Sequence, residues 1–157
     1  MLEPSLELYG ETYDRVNAIM TDLLGRSHAR YALIVDLKGF VLAHARALWA
    51  PKPPSLDSLA TLIASNHSAT LAIAKLFGEG PFKEMVHQGE GVGMYVEELG
   101  DKALLVTVFD ASATLGRVKL YTKKAAEDIV EAIRQNTAPA PTLEFDEGWR
   151  SSSAALL

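Results

Sequence analysis

The sequence predicts an α/β fold in which a five-stranded antiparallel sheet is flanked by three helices. Three segments carry apolar residues at helical spacing, and five β-prone segments alternate with them in the order α-β-β-α-β-β-β-α. Most connections between the predicted strands are too short for the crossover that a parallel pair needs. The order therefore favours an antiparallel sheet over a parallel, doubly wound one.

The first helix is predicted over residues 11–24, where apolar residues keep helical spacing and Gly25 provides a C-terminal stop. A hairpin follows, because residues 31–35 and 40–44 have extended character and the four residues between them have turn chemistry. Residues 49–54 are predicted to be a stiff connector, since the prolines there exclude both a helix and a central strand.

The central helix is predicted to begin at a cap provided by Ser55 or Asp57 and to run to Phe77, before Gly78. A row of small residues repeats every four positions along it, and other residues form a stripe at three-and-four spacing. We assign the stripe to the chain's own core and the row to close approach by another helix. An alanine-rich exposed face is the open alternative for the row. The small row is Ala60, Ala64, Ser68 and Ala72, and the predicted core stripe is Leu59, Leu62, Ile63, Asn66, Thr70, Ile73, Leu76 and Phe77.

Three further strands are predicted over residues 82–87, 93–99 and 103–109, separated by turns of hairpin length. The third is almost continuously apolar, which is typical of a central strand covered on both faces. The glycines at positions 89, 91 and 93 join two strands and precede no helix, so we interpret them as a hairpin turn rather than a phosphate loop. A closing helix over residues 115–134 completes a domain predicted to span residues 1–135.

Residues 136–157 are predicted to be a tail beyond this domain, because Pro139 and Pro141 break any continuing helix. Phe145, Trp149 and Leu156 have the spacing of one face of an amphipathic helix that could bind a partner. The alternative is that Trp149 folds back onto its own domain or lies in a disordered segment.

Composition excludes several classes of protein. The chain of 157 residues has a net charge of −5 and no cysteine, which excludes thiolate chemistry and disulfides and argues against broad nucleic-acid binding. No apolar run reaches the roughly 18 residues of a membrane span, so we expect a cytoplasmic protein. The four histidines are scattered singly, which predicts no metal site.

The sequence contains no recognisable active site. Hydrolase, phosphate-loop and paired-carboxylate motifs are missing, so we expect a protein that acts by being bound rather than an enzyme. His67 is predicted to lie at the surface, and Asn66 is predicted to tie the central helix to a neighbouring strand or connector. A solvated face with four cations is predicted at the start of the closing helix, although Arg117 could in principle act as an arginine finger. These cations are Arg117, Lys119, Lys123 and Lys124.

Over about residues 5–134, the chain resembles the roadblock/LC7 family. The resemblance rests on the order and spacing of several short segments: SLATL at 58–62, Asn66, AKLFGE at 74–79, HQG at 87–89, the strand at 104–110 and LGRVKL at 115–120. It implies a roadblock fold and a homodimer that joins two sheets edge to edge and places both central helices on one face.

The resemblance also implies a function, which is activation of a small Ras-like GTPase that governs cell polarity and gliding motility. About one GTPase molecule, preferentially GTP-bound, would sit on the paired central helices, which would reorganise its switch regions without an arginine finger. GTP and Mg²⁺ would belong to the GTPase, so no cofactor is expected in this chain. The matching GTPase-facing positions are Ala64, Ser65, Ser68, Ala72 and Lys75.

Two further expectations come from the resemblance. A tail helix using Phe145, Trp149 and Leu156 would contact the GTPase elsewhere and influence nucleotide exchange. A regulator of polarity would be concentrated at a cell pole. The alternative function is a scaffold that binds a GTPase within a complex without accelerating hydrolysis.

Overall fold

The computed structural model describes residues 8–136 and confirms the predicted order of elements. Residues 137–157, which include most of the predicted tail, lie outside the described part of the chain. The helices are α1 (Gly10–Ser27), α2 (Leu56–Leu76) and α3 (Leu115–Asn136), and the strands are β1 (Tyr31–Asp36), β2 (Val41–Arg46), β3 (Met85–Gln88), β4 (Val92–Leu99) and β5 (Ala103–Asp110).

The five strands form one antiparallel sheet in the order β2-β1-β5-β4-β3. The prediction that the most apolar strand is central is confirmed, because β5 lies mid-sheet and residues 103–109 are all buried. The predicted extent of β3 is wrong: its ladder with β4 begins at the pair Met85 and Val96, so residues 82–84 lie before the strand. The hairpin interpretation of the turn after β3 is confirmed by the Gly89 N–H, which donates to the Val92 carbonyl at 2.8 Å.

The helices divide unequally between the two faces of the sheet. Helices α1 and α3 pack together on one face around a large apolar cluster that includes Met20, Tyr95 and Ile129. Helix α2 packs on the other face, over a smaller cluster that includes Leu33 and Val106. The result is a three-layer arrangement in which one face is covered by two helices and the other by one.

The predicted end of α1 at Gly25 is wrong. The helix continues to Ser27 and ends at His28, whose backbone is left-handed with φ 60° and whose N–H donates to the Leu24 carbonyl at 3.0 Å. Gly25 is exposed inside the helix, where a glycine costs about 1 kcal/mol relative to alanine but does not stop the chain from continuing. The tertiary packing of the apolar side of α1 therefore outweighs this local signal.

Two local contacts set the position of α2. Ser55 caps the helix, because its hydroxyl oxygen accepts a hydrogen bond from the Ser58 N–H at 3.3 Å; of the two predicted caps, Ser55 is confirmed. In the β1–β2 turn, a Cβ added at Gly39 would lie 3.1 Å from the Thr61 Cα. Gly39, with φ +95°, therefore allows the turn to lie directly against the helix.

An ion pair joins the beginning of β1 to the end of β5. Arg30 Nε lies 2.5 Å from Asp110 Oδ2, and the two side chains are only 24% and 13% exposed. The Arg30 guanidinium, together with the Ser112 N–H that donates to the same carboxylate, holds the pKa of Asp110 below its usual range.

We expect Asp110→Asn to lower the free energy of unfolding by about 1 kcal/mol at neutral pH, because the amide keeps acceptor capacity but loses the charge. Since the folded-state pKa of Asp110 is depressed, its contribution is complete above the pKa of the unfolded state and is lost as pH falls through the folded-state value. Urea unfolding of both proteins from pH 7 to about pH 2.5 measures this difference, which should shrink below about pH 4. A difference that is constant across this range would contradict the assignment.

Candidate functional site

Helix α2 is buried along only one side. Five of its residues are buried, and they recur at the three-and-four spacing of a single helix face. The five are Ala60, Ile63, Ala64, His67 and Ala74. Small side chains dominate this buried face, which allows α2 to lie close to the sheet beneath it.

The predicted assignment of the two sides of α2 is therefore wrong in part: Ile63 of the predicted stripe is buried and Leu59 packs against the smaller core cluster, whereas other members of the stripe are exposed. The predicted core stripe includes Leu62, Ile73, Leu76 and Phe77, which are 67%, 48%, 85% and 76% exposed. Ala60 and Ala64, from the row assigned to another helix, face the chain's own fold instead. Small side chains do permit close packing of α2, but the first half of the small row packs against the sheet of the same chain and not against another helix.

The polar residues of α2 are also placed differently from the prediction. Asn66 is exposed, so it does not tie the helix to a strand. His67, predicted to be at the surface, is 6% exposed, and its Nε2 lies 3.0 Å from Glu98 Oε1 on β4. A polar tie between α2 and the sheet therefore exists one residue later, because position 67 falls on the buried face of the helix.

The five predicted GTPase-facing residues differ in their exposure to solvent. Ser65, Ser68, Ala72 and Lys75 are exposed and lie along one flank of α2. Ala64 is 7% exposed and presents almost no surface to a partner. The three tail residues, Phe145, Trp149 and Leu156, lie outside the described residues.

The other exposed flank of α2 is apolar, and the pattern of sequence hydrophobicity did not identify it as exposed. Phe82, 42% exposed, lies in the segment that leads from α2 to β3. We refer to Leu62, Ile73, Leu76 and Phe77 as the α2 apolar face, because helical spacing places them on one side of the helix. An accumulation of large apolar side chains on one exposed face is typical of a surface that binds another protein.

The sheet next to α2 is only partly covered. Met85 on β3 and Met94 on β4 are half-buried at the edge of the smaller core cluster, and Val92 is 45% exposed. These residues alternate with residues that face α1 and α3, so they lie on the same side of the sheet as α2. Within the described residues, the part of the sheet near the edge strand β3 is therefore incompletely covered on the side where α2 lies.

The cations of α3 lie on the opposite side of the sheet from α2. Arg117 Nε donates to the Arg26 carbonyl at 2.7 Å, and the guanidinium lies 5.8 Å from the Tyr121 ring centroid. Lys119 pairs with Glu84 at 2.5 Å, which lowers the pKa of that carboxyl group. These contacts tie Arg117 and Lys119 to the protein's own surface.

Neither a metal centre nor a membrane span is found in the described part of the chain. Within residues 8–136, no cluster of three or more His, Asp or Glu residues could hold a metal ion. No helix in this range combines the length and apolar character needed to cross a bilayer.

The fold agrees with the comparison with protein families. The chain belongs to the Roadblock/LC7 domain family, whose model matches residues 16–109. No curated protein matches it in a sequence comparison.

Several solved structures of MglB proteins are similar to this chain. An MglB with a tetrameric arrangement is 57% identical, with a TM-score of 0.82 over 85% of this chain and 98% of that one. The gliding protein MglB of Thermus thermophilus is 56% identical, with a TM-score of 0.82 over 85% of this chain and 99% of that one. Myxococcus xanthus MglB is 30% identical, with a TM-score of 0.72 over 83% of this chain and 96% of that one.

The burial of position 64 and the exposure of position 68 predict unequal effects on stability for two substitutions by leucine. Ala64→Leu should lower the free energy of unfolding by about 1–3 kcal/mol, because it forces three extra heavy atoms into a packed helix–sheet contact. Ser68→Leu, one turn later on an exposed position, should change it by less than about 0.5 kcal/mol. Chemical denaturation of the two variants measures both effects, and an equal response would contradict the buried placement of position 64.

Proposed function

We propose that this protein is a GTPase-activating protein for a small Ras-like GTPase and that it acts as a homodimer. The observation that carries the proposal is the exposed side of α2, where the α2 apolar face adjoins a flank of small residues in a roadblock fold. The similarity to gliding-motility MglB proteins supports a role in cell polarity or gliding motility. A regulator of this kind would work in the cytoplasm and concentrate at a cell pole.

A second copy of the chain accounts for the α2 apolar face. Leu62, Ile73 and Leu76 would be removed from water by the same residues of the partner's helix, which is the arrangement that two-fold symmetry requires. Strand β3 is at the sheet edge and has one free side, so pairing of two β3 strands would join the sheets edge to edge. The tetrameric arrangement of a 57% identical relative supports self-association in proteins of this type.

The small flank of α2 would then form the platform for the GTPase. Ser65, Ser68 and Ala72 carry short side chains, which permit close approach by an element of the GTPase, and Lys75 adds a cation at the end of the row. Two such flanks related by a two-fold axis would form one site at the axis, which one GTPase molecule occupies. Ala64 is left out of this surface because it is buried in its own fold.

The proposed mechanism is positioning of the GTPase's own groups. GTP and Mg²⁺ are bound by the GTPase, and this chain acts as a regulator without an active site. The platform holds the switch regions of the GTPase in the arrangement that aligns water and γ-phosphate. The hydrogen bond and ring contact of Arg117, on the other side of the sheet, support a mechanism without an arginine finger from that residue. The tail residues Phe145, Trp149 and Leu156 would make a second contact that influences nucleotide exchange.

We expect this protein to accelerate GTP hydrolysis when added in twofold molar excess to a Ras-like GTPase encoded beside it. The rate should rise at least tenfold at saturating GTP, because ordering of the switch regions lowers the activation barrier by more than about 1.4 kcal/mol. Ser68→Arg or Ala72→Arg should abolish the acceleration, since a long charged side chain prevents close approach. Single-turnover phosphate release measures both effects.

The matched control for this experiment is Ala18→Arg, which adds the same side chain to an exposed alanine on α1. This variant should accelerate hydrolysis as well as the unmodified protein does. Binding of the GTPase without acceleration would instead identify a scaffold. Full acceleration by Ser68→Arg and Ala72→Arg would remove the small flank from the proposed platform.

A charge on the α2 apolar face should separate the two copies. We expect Ile73→Asp to give a folded monomer in sedimentation velocity, because burying an unpaired carboxylate in an apolar interface costs several kcal/mol. Leu120→Asp, which changes a 63% exposed leucine on α3, should leave the dimer intact. A dimeric Ile73→Asp protein would show that another surface mediates self-association.

A further inference from the structure

The loop between β2 and α2 presents two adjacent apolar side chains to solvent. Leu48 is fully exposed and Trp49 is 51% exposed, whereas Ala50 beside them is buried in the smaller core cluster. We refer to Leu48 and Trp49 as the Leu-Trp tip. It is separate from the α2 apolar face and from the small flank, and the proposed function makes no use of it.

The backbone of this loop is held by hydrogen bonds within the protein. The Arg46 guanidinium donates to the Ala50 carbonyl from Nε at 3.1 Å and from Nη2 at 2.7 Å. The Ala50 N–H donates to the Ala47 carbonyl at 3.0 Å, and the Tyr31 hydroxyl donates to the Pro51 carbonyl. The prolines that follow restrict the chain further. The tip is therefore presented in a fixed conformation, so little conformational freedom would be lost on binding.

The same hydrogen bonds suit the loop to an apolar environment. Backbone N–H and carbonyl groups that enter a lipid interface without partners cost several kcal/mol each. In this loop, polar groups of Ala47, Ala50 and Pro51 already have partners, and proline contributes no N–H. These hydrogen bonds lower the cost of bringing this part of the loop backbone to an apolar phase.

The charge around the tip is opposite to the charge of the whole chain. Residues 45–56 contain Arg46 and Lys52 and no acidic residue, although the chain has a net charge of −5. Lys52 is exposed and follows the tip within four residues. Two cations beside an exposed apolar pair, in a segment without acidic residues, favour contact of this loop with an anionic partner.

We propose that the Leu-Trp tip is a membrane-contact site for a bilayer that contains anionic phospholipid. Leu48 enters the boundary between headgroups and acyl chains, the Trp49 ring lies at the headgroup level that tryptophan prefers, and Lys52 contacts lipid phosphate. A lipid surface fits better than a protein groove, because the tip is a short turn with two protruding side chains and flanking cations. Each tip binds weakly, so two tips in one dimer would act together where both reach the same bilayer.

The test is co-sedimentation of the full chain with vesicles of phosphatidylglycerol and phosphatidylethanolamine, compared with vesicles of phosphatidylcholine alone. We expect binding to the anionic vesicles that weakens as salt is raised. Leu48→Ser combined with Trp49→Ser should reduce the apparent affinity by about tenfold or more, and Lys52→Glu should also reduce it. Leu120→Ser is the matched control, because it removes an exposed leucine that also lies among lysines, on α3, and it should bind normally.

A spectroscopic measurement identifies the group that enters the bilayer. The chain has two tryptophans, so Trp149→Phe leaves Trp49 as the reporter, and its emission should shift to shorter wavelength with anionic vesicles. Thermal unfolding of every variant in solution verifies the fold. The proposal is overturned by equal binding of the doubly substituted protein, by binding that depends on Trp149, or by no binding to the anionic vesicles. Loss of GTPase binding by the doubly substituted protein, with no effect on vesicles, would identify a protein-docking tip instead.

Discussion

The constraint on which this structure depends is that, within residues 8–136, three helices cover a five-stranded sheet. Strands β1 and β5 are buried on both faces and need helices on each side. Helices α1 and α3 cover one face together, whereas α2 alone lies on the other and leaves Met85 and Met94 partly open. A single helix is too narrow to cover five strands about 4.8 Å apart. The uncovered area and the outer side of α2 are where another molecule can complete the structure.

This constraint explains why the two sides of α2 could not be assigned from the sequence. An amphipathic pattern identifies a core face only when the opposite face is polar. In α2 the buried face is lined by Ala60, Ala64, His67 and one large apolar residue, Ile63, whereas Leu62 and Ile73 lie outside. An assignment based on hydrophobicity alone therefore placed an exposed face, which is available to another molecule, in the chain's own core. The burial of His67 identifies the inner face of the helix. It could not be read from the local sequence, because its partner Glu98 is 31 residues away.

What the sequence did predict depends on local signals. The order of elements, the central position of β5 and the cap at Ser55 each follow from residues that act within one element or one turn. The errors arise where distant contacts decide the outcome. Helix α1 passes through Gly25 because its apolar side is packed against α3 and the sheet, and β3 is shorter than its β-prone segment. Neither effect can be read from a window of neighbouring residues.

A protein that acts by positioning another protein's catalytic groups needs a rigid surface rather than reactive residues. The platform proposed on α2 depends on the position of that helix on the sheet. Three features determine this position together: the small buried face, the Thr61–Gly39 contact and the His67–Glu98 pair. A displacement of about 1 Å is enough to disturb a catalytic alignment. Under the proposed function, the inner face of α2 would contribute to activity without touching a partner, because its packing fixes the positions of Ser68 and Ala72. Stability and activity of this fold are therefore expected to depend on the same helix, through its two opposite sides.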